Sequence, residues 1–229
     1  MSELSGKSII GFQQGVGEAT IFGINPATGE SLQPGYAAAS EDELERAAEL
    51  ATVAFATFGK SSGADRAAFL RKIADNIEGI VDALAALAPQ ETGLPEGRIR
   101  METGRTCGQL RLFASVVEDG SWVDARIDHA DPERVPVPKP DTRSMERPLG
   151  PVAVFCASNF PIAFSVAGGD TAAALASGCP VIVKAHHSHP GTAELVGQAV
   201  SAAVKDCDLP EGTFSLLYGP GREIGQALV

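Results

Sequence analysis

Gly150-Pro151-Val152-Ala153-Val154-Phe155-Cys156-Ala157-Ser158-Asn159-Phe160-Pro161 is the stretch whose reading decides the fold. Pro151 to Ala157 is a continuous apolar run of strand length, the pattern of a strand buried on both faces. Pro161 to Ser177 then reads as a helix ending at Gly178. Pro180 to Lys184 is a second apolar strand. Pro190 sits at a favoured first helical position, and that helix runs to about Lys205. Phe214 to Tyr218 is a third strand, and a helix starts at Gly221. Strands alternating with helices through short links predict an α/β fold, a parallel sheet with helices on both faces.

Upstream the patterning differs. Residues 8–38 alternate and are broken by turns, with a strand over Ala19 to Ile24, a turn at Asn25-Pro26-Ala27-Thr28-Gly29 and a second short strand after it. Ser40 with Glu43 forms a capping box, each side chain answering the other's free backbone N–H. Leu44, Ala47, Ala48, Ala51 and Phe55 recur at helical spacing behind it. Phe69 to Leu87 marks one or two more amphipathic helices, and another runs from Pro95 to near Trp122. Residues 125–147 carry Pro132, Pro136, Pro138 and Pro140 among charges and read as a linker or as an extended arm.

The formal charge of −11 argues against a nucleic-acid partner, because neutralising phosphates needs clustered Lys and Arg. Cys107, Cys156, Cys179 and Cys207 show no CxxC spacing, so zinc and redox motifs are unsupported. Such cysteine usage suits a reducing compartment, and the cytoplasm is the expectation. The opening residues have no apolar core of a signal peptide, and no apolar stretch reaches the ~20 residues of a membrane span. Ile224 to Val229 reads as a helix interrupted on an apolar residue, so the natural polypeptide is expected to continue. A three-stranded parallel sheet would also be left with a bare edge.

Four features stand at the ends of the predicted strands. Asn159 follows a strand and precedes a helix, which makes it either a helix N-cap or a group facing a ligand at the carboxyl edge of the sheet. Lys184 ends the second strand and reads as a solvated charge or as a ligand contact. Gly219, Gly221 and Gly225 follow the third strand as GxGxxxG, a departure from the dinucleotide fingerprint and a weak signal alone. His186, His187 and His189 have no Cys or acidic cluster beside them, so no metal site is expected. Gly168 and Gly169 fall inside the predicted helix, where each costs about 1 kcal/mol relative to Ala.

Taken together, several segments resemble the aldehyde dehydrogenase superfamily. These are the Asn25–Gly29 turn, Glu91-Thr92-Gly93, the Gly150–Pro161 stretch, AALASGCP over Ala173 to Pro180, and Val181-Ile182-Val183-Lys184. The resemblance covers essentially the whole chain. Gly168-Gly169-Asp170-Thr171, KAHHSHPGTAELVG from Lys184 to Gly197 and RTCGQLRLFA from Arg105 to Ala114 are similar to the α-ketoglutarate semialdehyde (2,5-dioxopentanoate) dehydrogenase branch.

The resemblance implies a Rossmann-like domain. Residues 1–124 and 148–229 are the N-terminal part of its cofactor-binding domain, 125–147 an oligomerisation arm, and the catalytic domain lies outside the chain. It implies a small-molecule aldehyde substrate, NADP or NAD as cofactor, and a homo-dimer or tetramer. Asn159 matches the family's side-chain donor to the oxyanion formed when a thiolate adds to the carbonyl. Ser158, Lys184, His187, Gly221 and Gly225 match positions around the cofactor. Many NAD-preferring relatives have a Glu where this chain has His187, and its loss removes repulsion against a 2′-phosphate. None of the four cysteines has the family's Gly-Gln-x-Cys setting, so no nucleophile or general base is assigned, and residues 1–229 alone are expected not to oxidise aldehydes. A carboxylated substrate calls for a cationic pocket residue; Arg105 and Arg111 are candidates and could equally be surface charges. A catalytically dead dinucleotide- or partner-binding subunit is the alternative from another class. A relative that reduces acyl phosphates is disfavoured by the Asn-Phe-Pro and LASGCP context.

Overall fold

The computed structural model describes residues 4–229. Two short strands, β1 (Ile9–Ile10) and β2 (Gln13–Gln14), precede a second pair, β3 (Ala19–Ile21) and β4 (Tyr36–Ala37). Four helices follow: α1 (Glu41–Phe58), α2 (Gly63–Glu78), α3 (Val81–Thr92) and α4 (Glu96–Asp119). β5 (Arg126–Asp128) and β6 (Thr142–Ser144) form a ribbon. The remaining elements alternate: β7 (Val152–Phe155), α5 (Gly169–Ser177), β8 (Val181–Lys184), α6 (Pro190–Asp206), β9 (Phe214–Leu217) and α7 (Gly221–Ala227).

The predicted parallel core forms as expected, with β8 between β7 and β9 and parallel to both. The expected bare edge is covered on the β9 side only, and β7 remains a terminal strand on the other. β1 pairs antiparallel with β9, and β2 with β1, so the sheet has five strands in the order β2-β1-β9-β8-β7 and is mixed. Two-residue strands have too little periodicity to be legible, and their partner lies about 200 residues away.

Strand alternation sorts the core onto two faces. Val181, Val183, Phe214 and Leu216 pack with α2, α4, α5 and α6, whereas Ile182 and Leu217 pack with Leu44 of α1 and Ile224 of α7. Each fully buried Leu, Ile or Phe contributes roughly 2 kcal/mol of transfer free energy. α1 begins with the predicted capping box: Ser40 Oγ accepts from Glu43 N–H at 3.2 Å and Glu43 Oε2 from Ser40 N–H at 2.9 Å.

The helix predicted over 161–177 is also corrected, since α5 begins only at Gly169. The Glu102 carboxylate of α4 accepts from the N–H groups of Ile162 and Ala163, which holds 158–168 as a series of turns. Gly168 then caps α5, and a Cβ there would lie 2.5 Å from the Ala163 carbonyl oxygen. The two glycines therefore mark a helix start and not a helix interior. The β5–β6 ribbon is exposed along its whole length, with Ile127, Val135 and Val137 facing outward nearby. Among the described residues no helix is long and apolar enough to cross a membrane.

Candidate functional site

Register places Phe155 beside Lys184 and Lys184 beside Leu217, so the three parallel strands end together. Three chain segments leave this carboxyl edge, where open α/β sheets bind ligands. A cavity of about 590 Å³ opens there, and its wall contains Ser158 and Asn159 from the first segment, His187 and Ser188 from the second, Glu91 from α3, and Pro26 from the turn between β3 and β4. Three of the six residues expected at the site thus share one wall. Lys184, Gly221 and Gly225 are at the same sheet edge but outside that wall.

Asn159 is exposed and no helix starts behind it, so the N-cap alternative falls away. Its side-chain amide has no hydrogen-bond partner among the described residues and is free to donate to a ligand. Its backbone carbonyl accepts from Arg98 Nη2 at 3.5 Å. The Arg98 guanidinium lies 4.6 Å over the Phe160 ring, and its Nε donates to Glu102 at 2.6 Å. Glu102 is buried and also holds Ile162 and Ala163. One buried carboxylate on α4 therefore fixes the segment that presents Asn159. The sequence reading missed this residue, because a lone Glu in a helix carries no signal for a backbone partner 60 positions on.

The histidines are stacked. His186 lies 4.4 Å from His187 and 5.6 Å from His189, ring to ring. His186 Nδ1 accepts from Ser188 N–H at 3.2 Å, which places the ring proton on Nε2. Burial, with the neighbouring His187, His189 and Lys184, pushes its pKa down to about 4. His189 Nε2 lies 2.9 Å from the Ala157 carbonyl and must donate to it. That bond ties the segment after β8 to the segment after β7, and burial holds His189 toward its neutral form. His187 is left exposed on the cavity wall. Among the described residues no group of three or more His, Cys, Asp or Glu could hold a metal ion.

Lys184 is only 7% exposed, and burial lowers its pKa. Its ammonium has no hydrogen-bond or ion-pair partner among the described residues. Strand alternation puts it on the face of Ile182, the face that α7 covers through Ile224. Gly219 is required by packing: its φ is +155°, and a Cβ would lie 2.2 Å from the Ile224 side chain. Gly221 would meet nothing within 4 Å, and Gly225 only the Phe155 ring at 3.7 Å, an ordinary contact. Packing within the chain therefore gives no reason for these two glycines.

Arg111 pairs with Asp75 and Glu78 at 2.7 and 2.5 Å, which makes it a surface ion pair. Arg105 instead lies 4.8 Å over the Phe164 ring. None of the cysteines is disulfide-bonded, and three are buried. Burial pushes Cys107 and Cys156 up to about 11 and raises Cys207.

A family model described as "Aldehyde dehydrogenase family" matches residues 12–229. Alpha-ketoglutaric semialdehyde dehydrogenase 2 of Azospirillum brasilense is 54% identical over 229 residues, which cover 99% of this chain and 44% of that protein. Alpha-ketoglutaric semialdehyde dehydrogenase of Acinetobacter baylyi is 47% identical over 230 residues, covering 100% of this chain and 43% of that protein. The crystal structure of HpcC from Thermus thermophilus superposes with a TM-score of 0.84 at 27% identity, over 97% of this chain and 41% of that one. The chain spans a little under half the length of the curated relatives it matches.

Proposed function

The chain belongs to the aldehyde dehydrogenase family, and on that premise we propose that the protein oxidises a carboxylated semialdehyde, of the 2,5-dioxopentanoate kind, to the carboxylate with NADP or NAD. The observation that carries this reading is the grouping at one sheet edge of the free Asn159 amide, the exposed His187 and the buried, unpartnered Lys184. The semialdehyde follows the two relatives at 54% and 47% identity.

The residues present fit the cofactor. Lys184 is mostly buried and its ammonium has no partner among the described residues, so an anion or hydroxyl group placed against it would be favourable. Lys184 would meet the ribose or its 2′-phosphate, and Ser158 and His187 would meet the cofactor from the cavity wall. Gly221 and Gly225 leave the α7 side open to close approach. An imidazole at His187 does not oppose a 2′-phosphate as a carboxylate would, which supports acceptance of NADP. When bound, the cofactor accepts a hydride from the substrate carbon. Asn159 donates from its side-chain amide to the carbonyl oxygen, where negative charge develops as a nucleophile adds.

We place the nucleophile and general base outside these 229 residues. A thiol held near 11 is almost wholly protonated at neutral pH, so Cys107 and Cys156 are unsuited to attack. The β5–β6 ribbon within 125–147 would extend a partner's sheet in a homo-dimer or tetramer. Steady-state oxidation by the full-length protein tests the reading, with 2,5-dioxopentanoate against pentanal and NADP against NAD. The expected result is turnover of the semialdehyde with either cofactor and a higher kcat/KM with NADP. No turnover by the full-length protein, or hydride transfer by residues 1–229 alone, would overturn it.

A further inference from the structure

We infer that Arg105 is the specificity-determining residue that holds the remote carboxylate of the substrate. This rests on the reading of Asn159 as the donor to the carbonyl oxygen and of the substrate as a carboxylated semialdehyde. α4 carries four arginines, and the structure gives three of them carboxylate partners. Arg98 pairs with Glu102, Arg100 with Glu96 and Asp82, and Arg111 with Asp75 and Glu78. Arg105 has none among the described residues. On a chain with a net charge of −11, an arginine left without a carboxylate stands apart from its neighbours on the same helix.

Its position gives that lone charge a use. The Arg105 guanidinium lies 4.8 Å over Phe164, Phe164 packs edge-on against Phe160 at 5.1 Å, and Phe160 follows Asn159 in the chain. Phe164 is 40% exposed, so an apolar ring and a cation face outward together. Stacking on a ring face holds the planar guanidinium in place without using its N–H donors. The free fork suits a carboxylate, which it can bind through two parallel hydrogen bonds. A five-carbon semialdehyde has its carbonyl and carboxylate carbons about 5 Å apart when extended. With a hydrogen bond at each end it spans about 11 Å. Two ring steps, of 4.8 and 5.1 Å, link the Arg105 guanidinium through Phe164 to Phe160, the residue that follows Asn159.

The test uses Arg105→Gln and Arg105→Lys in the full-length protein, with 2,5-dioxopentanoate and pentanal as the charged and uncharged substrates. Arg105 is exposed and unpaired, so both variants keep the wild-type Tm. Arg105→Gln raises KM for the charged substrate about 30-fold, equivalent to about 2 kcal/mol, and leaves its kcat and both constants for pentanal within about threefold. Arg105→Lys recovers part of the loss, because it keeps the charge and gives up the fork. If wild type is selective for the charged substrate and the variants stay equally selective, the role of Arg105 is overturned while the substrate reading stands. If wild type shows no selectivity, the substrate reading fails first and the role of Arg105 fails with it.

Discussion

The Glu91 carboxylate and Thr192 are joined by two hydrogen bonds across 101 residues of chain: Oε2 accepts from the Thr192 backbone N–H at 2.8 Å and from its hydroxyl at 2.7 Å. Oε1 accepts from Gly191 N–H at 2.7 Å. α6 has no capping side chain of its own, since His189 at its N-cap makes no such bond. A carboxylate at the end of α3 therefore serves as the cap of α6, where it also meets the positive end of the helix dipole. Because α6 follows directly on the histidine segment, the Glu91-Thr92-Gly93 motif supports the cavity wall.

Glu91→Ala leaves two buried N–H groups without a partner and is expected to cost about 3 kcal/mol, read as a lower urea midpoint at pH 7. The pH dependence has a definite sign. Burial raises the Glu91 pKa above its ordinary 4.5, against the pull of its three hydrogen bonds. The unfolded chain loses this proton first, so the contribution of Glu91 to stability falls as pH rises from 4.5 through the raised value. Glu91→Gln is expected to flatten the stability profile across that window. An unchanged slope would mean that the carboxylate is ionised throughout.

His186 predicts a loss on the acid side. Its pKa is 6.5 in the unfolded chain and about 4 in the fold. The unfolded state binds a proton first as pH falls, so stability conferred by the neutral ring is complete above 6.5 and is lost by about 4. Urea midpoints of wild type and His186→Gln are expected to converge as pH drops across this range. Parallel profiles would show that the stacked imidazole titrates normally.

Residues that form long periodic elements were legible in the sequence. The capping box at Ser40, the strands ending at Phe155, Lys184 and Leu217, and Pro190 at the start of α6 all announce themselves locally. The segment from Asn159 to Gly168 did not, because its backbone is held by Glu102 on a distant helix. β1 and β2 were hidden for a similar reason, being defined by pairing with β9. At the candidate site, Ser158 and His187 were named from the family resemblance alone and Asn159 also from its strand-end position, and the three line one cavity wall. The roles of Glu91, Glu102 and His189 depend on contacts over tens of residues and had no local signal. Arg105 and Arg111 looked equivalent by helical spacing, and only the carboxylates around Arg111 separate them.

Cofactor choice is expected to turn on Lys184 and His187. His187→Glu in the full-length protein puts a carboxylate on the cavity wall, where it would oppose a 2′-phosphate. The expected result is a loss of about 10-fold or more in kcat/KM with NADP and a smaller change with NAD, because like charges brought together cost several kcal/mol. Lys184→Met is expected to raise KM for both cofactors, and more for NADP. Equal losses with both cofactors in His187→Glu would remove that residue from 2′-phosphate discrimination.

The exposed ribbon gives an assembly prediction. Val135 is 87% exposed and Val137 60%, a pair of apolar side chains with nothing over them in a single chain. Deleting residues 130–143 from the full-length protein is expected to convert a dimer or tetramer to a monomer in light scattering, with Lys184 and Asn159 left in place. An oligomer of unchanged mass would assign assembly to another surface.

Glu102 is expected to act on catalysis through Asn159. It accepts from Ile162 N–H, Ala163 N–H and Arg98, and Arg98 in turn donates to the Asn159 carbonyl. Glu102→Gln keeps the shape but turns an amide N–H₂ or a neutral oxygen toward Arg98, so the clamp loosens. Misplacing a catalytic group by about 1 Å can cost on the order of 100-fold in rate. A fall in kcat of about 10- to 100-fold with little change in cofactor KM is therefore expected. A merely structural role for Glu102 would also lower the rate if the fold were disturbed, so the deciding measurement is a double-mutant cycle. If Glu102 works through Asn159, Glu102→Gln adds almost nothing to the loss already caused by Asn159→Ala, since the group being positioned is gone. Losses that multiply would show that Glu102 supports the site by another route.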